Sequence, residues 1–312
     1  MRIIKNIQNL RGKLKCAVVT LGVFDGVHLA HQYIIRRVVN QAKNSQGTSV
    51  VLTFDPHPVK VLGKNTRVPL ITSLNHRVQL IRDLGVDACV IVPFVKKFSY
   101  LSAEQFVAQI LVRKIGVKRL VLGQDFRFGR NKKGSLALLE KLSQRYSFTV
   151  EKIKPLTLEG EVIRSSRIRT LLEKGQIRQA NMLLGRPFSI LGKVTQGKSR
   201  GRLLGYRTAN IIPEQEVIPR RGVYAVRVKI NGEVLPGMVN IGLRPTFDQK
   251  NDVVIEAHIF GFSKNIYRKK LEVFFVERIR SEKHFHSSRA LQAQIRRDEH
   301  QAKVILHLSL LH

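Results

Sequence analysis

Two histidines three residues apart, His28 and His31, follow an apolar run near the start of the chain. Their segment, Gly22-Val-Phe-Asp-Gly-Val-His28-Leu-Ala-His31, joins a predicted strand to a predicted helix. Its glycines let the backbone approach a phosphate, and the first turn of a helix directs free N–H groups towards an anion. Side chains three apart on a helix share a side, so both imidazoles can stabilise the charge that develops during nucleotidyl transfer. A metal-binding pair and a solvated helix start are the alternatives.

Three further segments combine glycine, acid and cation in the same way. Residues 53–58 (Thr-Phe-Asp-Pro-His-Pro) follow the second predicted strand, and residues 123–129 (Gly-Gln-Asp-Phe-Arg-Phe-Gly) follow a later one and lead into a basic loop. Residues 164–169 (Arg-Ser-Ser-Arg-Ile-Arg) open a predicted helix with serines and cations, which suits a triphosphate. A single basic loop is usually solvated surface. Because the carboxyl ends of parallel strands meet at one sheet edge, four such loops favour a nucleotide site.

A second glycine-rich region spans residues 192–210 and ends in Thr208-Ala-Asn210. Backbone amides can cradle phosphates there, while the hard oxygens of Thr208 and Asn210 suit Mg²⁺. No GxxxxGK[ST] pattern occurs in it, so it is not a Walker A loop. The alternative is a flexible surface turn.

Glu256 is an acid on an apolar strand, in Val-Ile-Glu256-Ala-His258. Beside a substrate hydroxyl, its carboxylate can act as the general base of a phosphoryl transfer. The alternative is a structural ion pair with one of the many cations of the chain.

The elements that position these residues differ between the two parts of the chain. In the first part, predicted strands at 16–24, 49–54, 88–94, 119–123 and 147–153 alternate with predicted helices at 31–47, 77–85 and 103–116, and one or two short helices follow at 166–185. This alternation predicts a doubly wound α/β domain with a parallel sheet.

The pattern changes after Gly185, where short β-type runs with Gly, Pro and Asn turns take over. Asn231-Gly232 is a strong hairpin signal, and closely spaced short strands predict a small antiparallel barrel. Residues 288–308 have helical periodicity and are expected to pack across it. We therefore predict two domains, at 1–185 and 186–312.

Composition restricts the class of protein. The chain has 312 residues, a formal net charge of +33 and two distant cysteines in no metal-binding spacing. Its first residues do not form a signal peptide and no segment is apolar enough to span a membrane, so we expect a cytoplasmic protein with no membrane partner. The charge attracts any polyanion. No nucleic-acid-binding motif accompanies it, so a specific nucleic-acid partner is not expected.

These motifs resemble those of the bacterial bifunctional riboflavin kinase/FMN adenylyltransferase (FAD synthetase) family over essentially the whole chain. Residues 22–31 are similar to that family's GxFDGxHxGH, residues 53–58 to its TFxPHP and residues 123–134 to its GxDFRFGxxxxG. Residues 163–169 resemble its ISSTxIR. Residues 192–210 resemble its GxVxxGxxxGRxLGxPTAN, residues 240–247 its NIGxRPTF and residues 256–258 its ExH.

The resemblance implies a nucleotidyltransferase domain followed by a six-stranded antiparallel riboflavin kinase barrel with a C-terminal helix. It implies Mg²⁺ as cofactor and ATP, riboflavin and FMN as substrates. In the first domain it assigns the reacting α-phosphate to His28 and His31, and the surrounding ATP phosphates to Gly22, Phe24, Asp25 and Gly26. It assigns the flavin to His57, Asp125 and Phe128. It assigns the leaving pyrophosphate to Ser165, Ser166 and Arg169. In the second domain it assigns ATP phosphate to Gly197 and Thr208, and Mg²⁺ to Thr208 and Asn210. It assigns the flavin to Arg244, and removal of the riboflavin 5′-hydroxyl proton to Glu256.

Three positions depart from the family pattern in ways that matter, and Tyr206 in place of the usual phenylalanine is a minor fourth. Ala30 stands where the family has glycine, which matters only if the backbone there has positive φ or touches the nucleotide. Arg164 replaces a serine. Arg207 replaces the proline of PTAN and loosens that turn. A chain that is only an FMN adenylyltransferase, with Arg207 impairing the kinase, is therefore one alternative, and a basic nucleic-acid-binding protein is the other. The sequence does not predict the oligomeric state.

Overall fold

The computed structural model describes residues 1–63, 68–195, 206, 208–244 and 252–308. Backbone contacts divide the chain into two units. The N-terminal unit comprises Met1–Pro69 and Leu74–Arg164, and the C-terminal unit comprises Leu70–Ser73 and Ser165–His312.

The N-terminal unit contains a six-stranded sheet in which every pair is parallel. The strands are β1 (Arg2–Lys5), β2 (Ala17–Leu21), β3 (Ser49–Asp55), β4 (Ala88–Pro93), β5 (Val117–Gly123) and β6 (Thr149–Ile153). Their order is β1-β4-β3-β2-β5-β6. The predicted parallel sheet is confirmed. Strand β1 was not predicted, because its four residues bury only Ile4 and are too few to show an alternating pattern.

Helices cover both faces of this sheet. They are α1 (Leu29–Asn44), α2 (Pro58–Leu62), α3 (Leu74–Asp83), α4 (Lys96–Ser99), α5 (Ala103–Gln105) with the π-helical segment Phe106–Ile115, and α6 (Leu136–Tyr146). Apolar residues of α1 and α3 pack with Val51, Cys89 and Ile91 on one face. Those of the π-helical segment and α6 pack with Val50, Leu52 and Val90 on the other. Neighbouring strand residues point to opposite faces, so the doubly wound prediction is confirmed. A short hairpin, β7 (Thr157–Leu158) and β8 (Glu161–Val162), follows.

The long segment of the C-terminal unit begins with two short helices, α7 (Ser165–Lys174) and α8 (Ile177–Leu184), as predicted. They group by contact with the strands that follow. We predicted the boundary between the two functional domains after Gly185. Grouping by backbone contacts does not test a boundary of that kind, so it stays a prediction.

Six antiparallel strands close into a barrel in the order β10-β13-β12-β11-β14-β9. They are β9 (Phe188–Thr195), β10 (Ala209–Pro213), β11 (Gly222–Ile230), β12 (Glu233–Arg244), β13 (Asp252–Ile259) and β14 (Lys270–Arg280). Asn231 and Gly232 both have positive φ, 50° and 90°, and form the predicted two-residue turn between β11 and β12. The predicted six-stranded barrel is confirmed.

The last helix, α9 (Ser288–Leu308), packs against the outer face of the barrel, as predicted. Ala302 and Leu306 of α9 form a buried cluster with Ala225 of β11 and Met238 of β12. Within the described ranges, no helix is both long enough and apolar enough to cross a bilayer.

Candidate active sites

The loop that joins β2 to α1, residues 22–28, has an unusual backbone; we call it the phosphate loop. Phe24, Gly26 and Val27 all have positive φ, at 55°, 82° and 40°. This region is costly for a β-branched residue such as Val27, and strain of this kind tends to collect at functional sites. The carbonyl of Val27 accepts a hydrogen bond from Gln32 Nε2 at 2.9 Å, which helps hold the loop.

His28 and His31 lie against each other at the start of α1. His28 is the N-cap residue of the helix and is 4% exposed. The two imidazole rings stack with centroids 3.6 Å apart and planes 18° apart, and the Phe24 ring meets His31 edge-on at 5.2 Å. Burial, the neighbouring His28 and the Arg77 guanidinium hold the pKa of His31 well below its usual 6.5. His31 is therefore neutral at pH 7 and can donate one hydrogen bond to a phosphate oxygen.

The phosphate loop lies at the switch point of the sheet. From β2 the chain builds β3 and β4 on one side, and β5 and β6 lie on the other. Loops after β2 and β5 therefore flank one crevice at the carboxyl edge, where open α/β sheets bind ligands. The structure brings the segments 22–31 and 123–129 to that crevice, and residues 53–58 leave the adjacent strand β3 at the same edge.

The loop after β5 carries Asp125 and Phe128. The Asp125 carboxylate is 72% exposed and lies 3.4 Å from Nη2 of Arg164, the cation that replaces a serine of the family pattern. Phe128 exchanges two backbone hydrogen bonds with Gly134, which closes the basic loop between them. Its ring stacks on Phe126 at 5.6 Å and meets Phe106 at 5.7 Å. The half-buried rings of Phe126 and Phe128 offer an aromatic surface beside an exposed carboxylate.

His57 caps α2 just past the end of β3. Its Nδ1 accepts a hydrogen bond from the Val59 amide at 3.1 Å. In the neutral ring the proton is therefore on Nε2, which is left as the donor.

Ser165, Ser166 and Arg169 occupy the first turns of α7, in the C-terminal unit. Ser166 is exposed, and Ser165 and Arg169 are half-buried. Their assignment to the pyrophosphate stays a prediction.

Glu256 lies in a row of polar residues that crosses four strands of the barrel. It is paired directly with Asn210 of β10 on one side and with Asn240 of β12 on the other, and Asn210 is paired with Thr195 of β9. Directly opposed residues share a face of a sheet, so these four side chains lie together. The face is the outer one, because Met238, two residues before Asn240, packs under α9. The structure therefore brings together Glu256 and Asn210, and the roles assigned to them stay predictions.

Thr208 lies two residues before Asn210 and lines a pocket of about 370 Å³ with Ala209, Ala257 and the loop 262–267. The ring of Tyr206 meets that of His258 edge-on at 5.2 Å. Gly197 and Arg207 fall outside the described residues, as does the side chain of Arg244, whose backbone ends β12.

Two residues that border these sites were given no role by the sequence: Arg77 of α3, which is 1% exposed, and Asn240. A buried arginine in an amphipathic helix looks like any solvated cation in the sequence, whereas Asn240 stands out weakly as a polar residue in an apolar strand. Among the residues that the structure describes, no group of three or more His, Cys, Asp or Glu side chains could hold a metal ion.

Two family models match the chain. The model for FAD synthetase covers residues 11–167, and the model for riboflavin kinase covers residues 184–306.

Curated relatives and a solved structure are similar over nearly the whole length. The "bifunctional riboflavin kinase/FMN adenylyltransferase" of Bacillus subtilis is 38% identical over 291 residues, 92% of this chain and 91% of that protein. The protein of the same description from Escherichia coli strain K12 is 33% identical over 311 residues, 99% of each chain. A structure described as a macrolide-efflux protein from Streptococcus pneumoniae has a TM-score of 0.88 at 30% identity and covers 97% of this chain and 99% of its own. From the matched models and these relatives, the chain belongs to the bifunctional riboflavin kinase/FMN adenylyltransferase family.

Proposed function

We propose that this polypeptide converts riboflavin and ATP to FMN and ADP, and then FMN and ATP to FAD and pyrophosphate. The observation that carries this proposal is that each unit contains its own group of phosphate-directed residues. The N-terminal unit has the stacked pair His28 and His31 at the switch point of its sheet. The C-terminal unit has Glu256 between Asn210 and Asn240 on its barrel.

In the adenylyl transfer, an oxygen of the FMN phosphate attacks the α-phosphorus of ATP. The bond from that phosphorus to the bridging oxygen of the pyrophosphate breaks, and the bond to the FMN oxygen forms. No protein nucleophile is required, so the unit acts by positioning the reactants and stabilising charge. Neutral His31 donates a hydrogen bond to an α-phosphate oxygen, and His28 does so beside it at the start of α1. The backbone of Phe24, Asp25 and Gly26 faces the remaining phosphates, with Gly22 beside them, whose own amide donates to the Leu52 carbonyl at 3.1 Å.

The flavin of FMN lies on the aromatic surface after β5. Phe126 and Phe128 offer ring faces for the isoalloxazine, and exposed Asp125 accepts hydrogen bonds from its polar edge. His57 donates from Nε2, since its Nδ1 is already an acceptor. For the leaving pyrophosphate, the proposal keeps the assignment to Ser165, Ser166 and Arg169 that the family resemblance implies.

In the kinase reaction, Glu256 accepts the proton of the riboflavin 5′-hydroxyl as that oxygen attacks the γ-phosphorus of ATP. The bond to the β-phosphate oxygen breaks and ADP leaves. Asn210 and Asn240 flank Glu256 and can hold both its carboxylate and the attacking hydroxyl by hydrogen bonds. Arg244 contacts the flavin and Gly197 the ATP phosphates.

Mg²⁺ is the metal that the donors in the barrel fit. The Thr208 hydroxyl and the Asn210 amide oxygen are hard oxygen donors, and two are too few to enclose an ion without oxygens from ATP, which is how Mg²⁺ is usually held. When bound, the ion offsets triphosphate charge. Thr208 and Asn210 are the residues that would hold it.

We also place the protein in the cytoplasm, a proposal supported by its two free cysteines, Cys16 and Cys89.

A two-substrate assay tests the proposal. Purified protein is given ATP and Mg²⁺ with either riboflavin or FMN, and FMN and FAD are separated by chromatography. We expect FMN and FAD from riboflavin, and FAD from FMN. If FAD forms only from supplied FMN, the chain is an adenylyltransferase alone, and Arg207→Pro should then restore FMN formation. Steeply salt-dependent RNA binding with no flavin turnover would contradict the proposal and favour the nucleic-acid-binding alternative.

A further inference from the structure

Arg77 of α3 is a fully buried arginine that belongs to none of the motifs described above. It is 1% exposed, and the next residue, Val78, packs in the same apolar cluster as Phe24 and Val27 of the phosphate loop. A buried guanidinium is costly unless it is hydrogen-bonded and balanced by negative charge. The contacts of Arg77 therefore indicate what it does.

A hydrogen bond of Arg77 connects it to the site. Its Nη2 donates to the carbonyl oxygen of Phe54 at 3.1 Å, at the carboxyl end of β3. The preceding residue, Thr53, donates from its hydroxyl to the Val23 carbonyl at 3.1 Å, in the phosphate loop. Two consecutive residues of β3 thus connect α3 on one side and the phosphate loop on the other. Nε and Nη1 of Arg77 are buried and have no hydrogen-bond partner within the described ranges.

The charge of Arg77 interacts through space with two carboxylates, whose combined negative charge it offsets in part. Burial lowers the pKa of the Arg77 guanidinium, and Asp25 and Asp55 oppose that shift, as does Cys89 of β4 to a smaller extent. Asp25 is 3% exposed in the phosphate loop, and Asp55 ends β3 at the same edge of the sheet. Without a cation behind them, both carboxylates would repel a triphosphate, since charges interact strongly where water is excluded.

We propose that Arg77 is a positioning residue of the adenylyl-transfer site, whose buried guanidinium offsets part of the negative charge of Asp25 and Asp55 and holds the end of β3 against the phosphate loop, so that the loop accepts the ATP triphosphate. This inference rests on the proposed adenylyltransferase activity. It adds a requirement for a cation that never needs to touch the substrate. Two results follow. The KM for ATP should rise when the positive charge of Arg77 is removed. Part of that rise should be reversed when an opposing carboxylate is removed as well.

The experiment compares four forms of the full chain: wild type, Arg77→Met, Asp55→Asn and the double variant. FAD synthesis from FMN gives kcat and the KM for ATP, and FMN synthesis from riboflavin by the other unit measures the amount of intact protein. We expect Arg77→Met to raise the KM for ATP by about tenfold or more, with a smaller change in kcat, and Asp55→Asn to change it little. The double variant should recover at least about threefold of the loss, as coupled neighbours do. An unchanged KM in Arg77→Met, or a double variant no better than Arg77→Met, would overturn the proposal.

A pH profile separates the charge of Arg77 from a merely structural contribution. The charged and titratable neighbours involved are His28 and Arg77 around His31, and Asp25, Asp55 and Cys89 around Arg77. Losing the cation lets the pKa of His31 rise, so the acid limb of the kcat/KM profile for ATP should move to higher pH in Arg77→Met. A loss of equal size at every pH would contradict the charge role.

Arg77→Lys keeps the charge and serves as the matched control. It should retain a KM for ATP closer to wild type than Arg77→Met does, and equal losses in the two would count against the proposal. If Arg77→Met is not recovered as folded protein, the test compares Arg77→Lys with the Arg77→Lys, Asp55→Asn double variant. Because the cation is retained, Asp55→Asn should not lower the KM for ATP of Arg77→Lys. A decrease of threefold or more would overturn the proposal. Wild type that makes no FAD would refute the proposed function itself.

Discussion

The imidazole of His31 lies flat against that of His28, with ring centroids 3.6 Å apart, and it also contacts the edge of the Phe24 ring and feels the charge of Arg77. Two protonated imidazoles would repel each other at this distance. The arrangement therefore favours at least one neutral ring, and burial makes His31 that ring. The pair can thus offer hydrogen-bond donors to a phosphate without assembling a doubly charged site in the absence of ligand.

The first prediction concerns His28. His28→Ala should lower the rate of FAD formation from FMN by about a hundredfold or more, since a single donor to a developing oxyanion is worth that much. FMN formation from riboflavin should be unchanged, because the kinase residues belong to the other unit. Both rates are measured on one preparation by chromatography. Equal loss of both activities would contradict the division of labour between the units.

The second prediction is a pH dependence of stability that comes from His31. Its pKa is lowered in the folded chain, so below about pH 6.5 the unfolded chain binds a proton that the folded chain does not. The free energy of unfolding should therefore fall as the pH drops through 6.5, by up to about 1.4 kcal/mol per pH unit from this group. Urea unfolding between pH 7.5 and 5.5 measures the slope. His31→Gln removes the group and should flatten the slope; the same slope in both proteins would show that His31 does not cause it.

Much of the N-terminal site was predictable from the chain because its signals are local. Glycines and histidines directly after an apolar strand mark a strand-to-helix loop, and parallel strands place such loops at one edge. Arg77 was not predictable in this way. Its burial depends on the packing of α3 against β3 and the phosphate loop, which are distant in the sequence.

In the barrel, too, local features were predictable from the sequence, and features that depend on distant strands were not. Asn231-Gly232 predicts its hairpin, because that turn needs two residues that tolerate positive φ. The pairing of Glu256 with both Asn210 and Asn240 depends on the register of three strands, two of them far from Asn210 in the chain. Register follows from the closure of the whole barrel, and no short pattern encodes it.

The π-helical form of residues 106–115, where an ordinary helix was expected, also lacks a sequence signal.

The third prediction concerns Ala30, which replaces a glycine of the family pattern. Ala30 lies in the first turn of α1, and it is not among the residues with positive φ. The position therefore does not require glycine for its backbone. Ala30→Gly should leave kcat/KM for FAD synthesis within about twofold and should lower the free energy of unfolding by no more than about 1 kcal/mol, the cost of glycine in a helix. A large gain in activity would instead show that the Ala30 methyl group obstructs the nucleotide.

The last prediction joins Glu256 to its neighbours across the barrel. Glu256→Gln keeps the shape of the side chain and removes its basicity, so FMN formation should fall by about a hundredfold or more while FAD synthesis from supplied FMN continues. Asn240→Ala removes only a flanking amide and should cost about tenfold in kcat, because a misplaced base still accepts a proton. Asn240→Asp is the informative partner variant: a second carboxylate directly opposite Glu256 favours its protonated form and should move the acid limb of the kcat profile to higher pH. A profile unmoved in Asn240→Asp, together with full activity in Asn240→Ala, would mean that Asn240 plays no part in positioning the base.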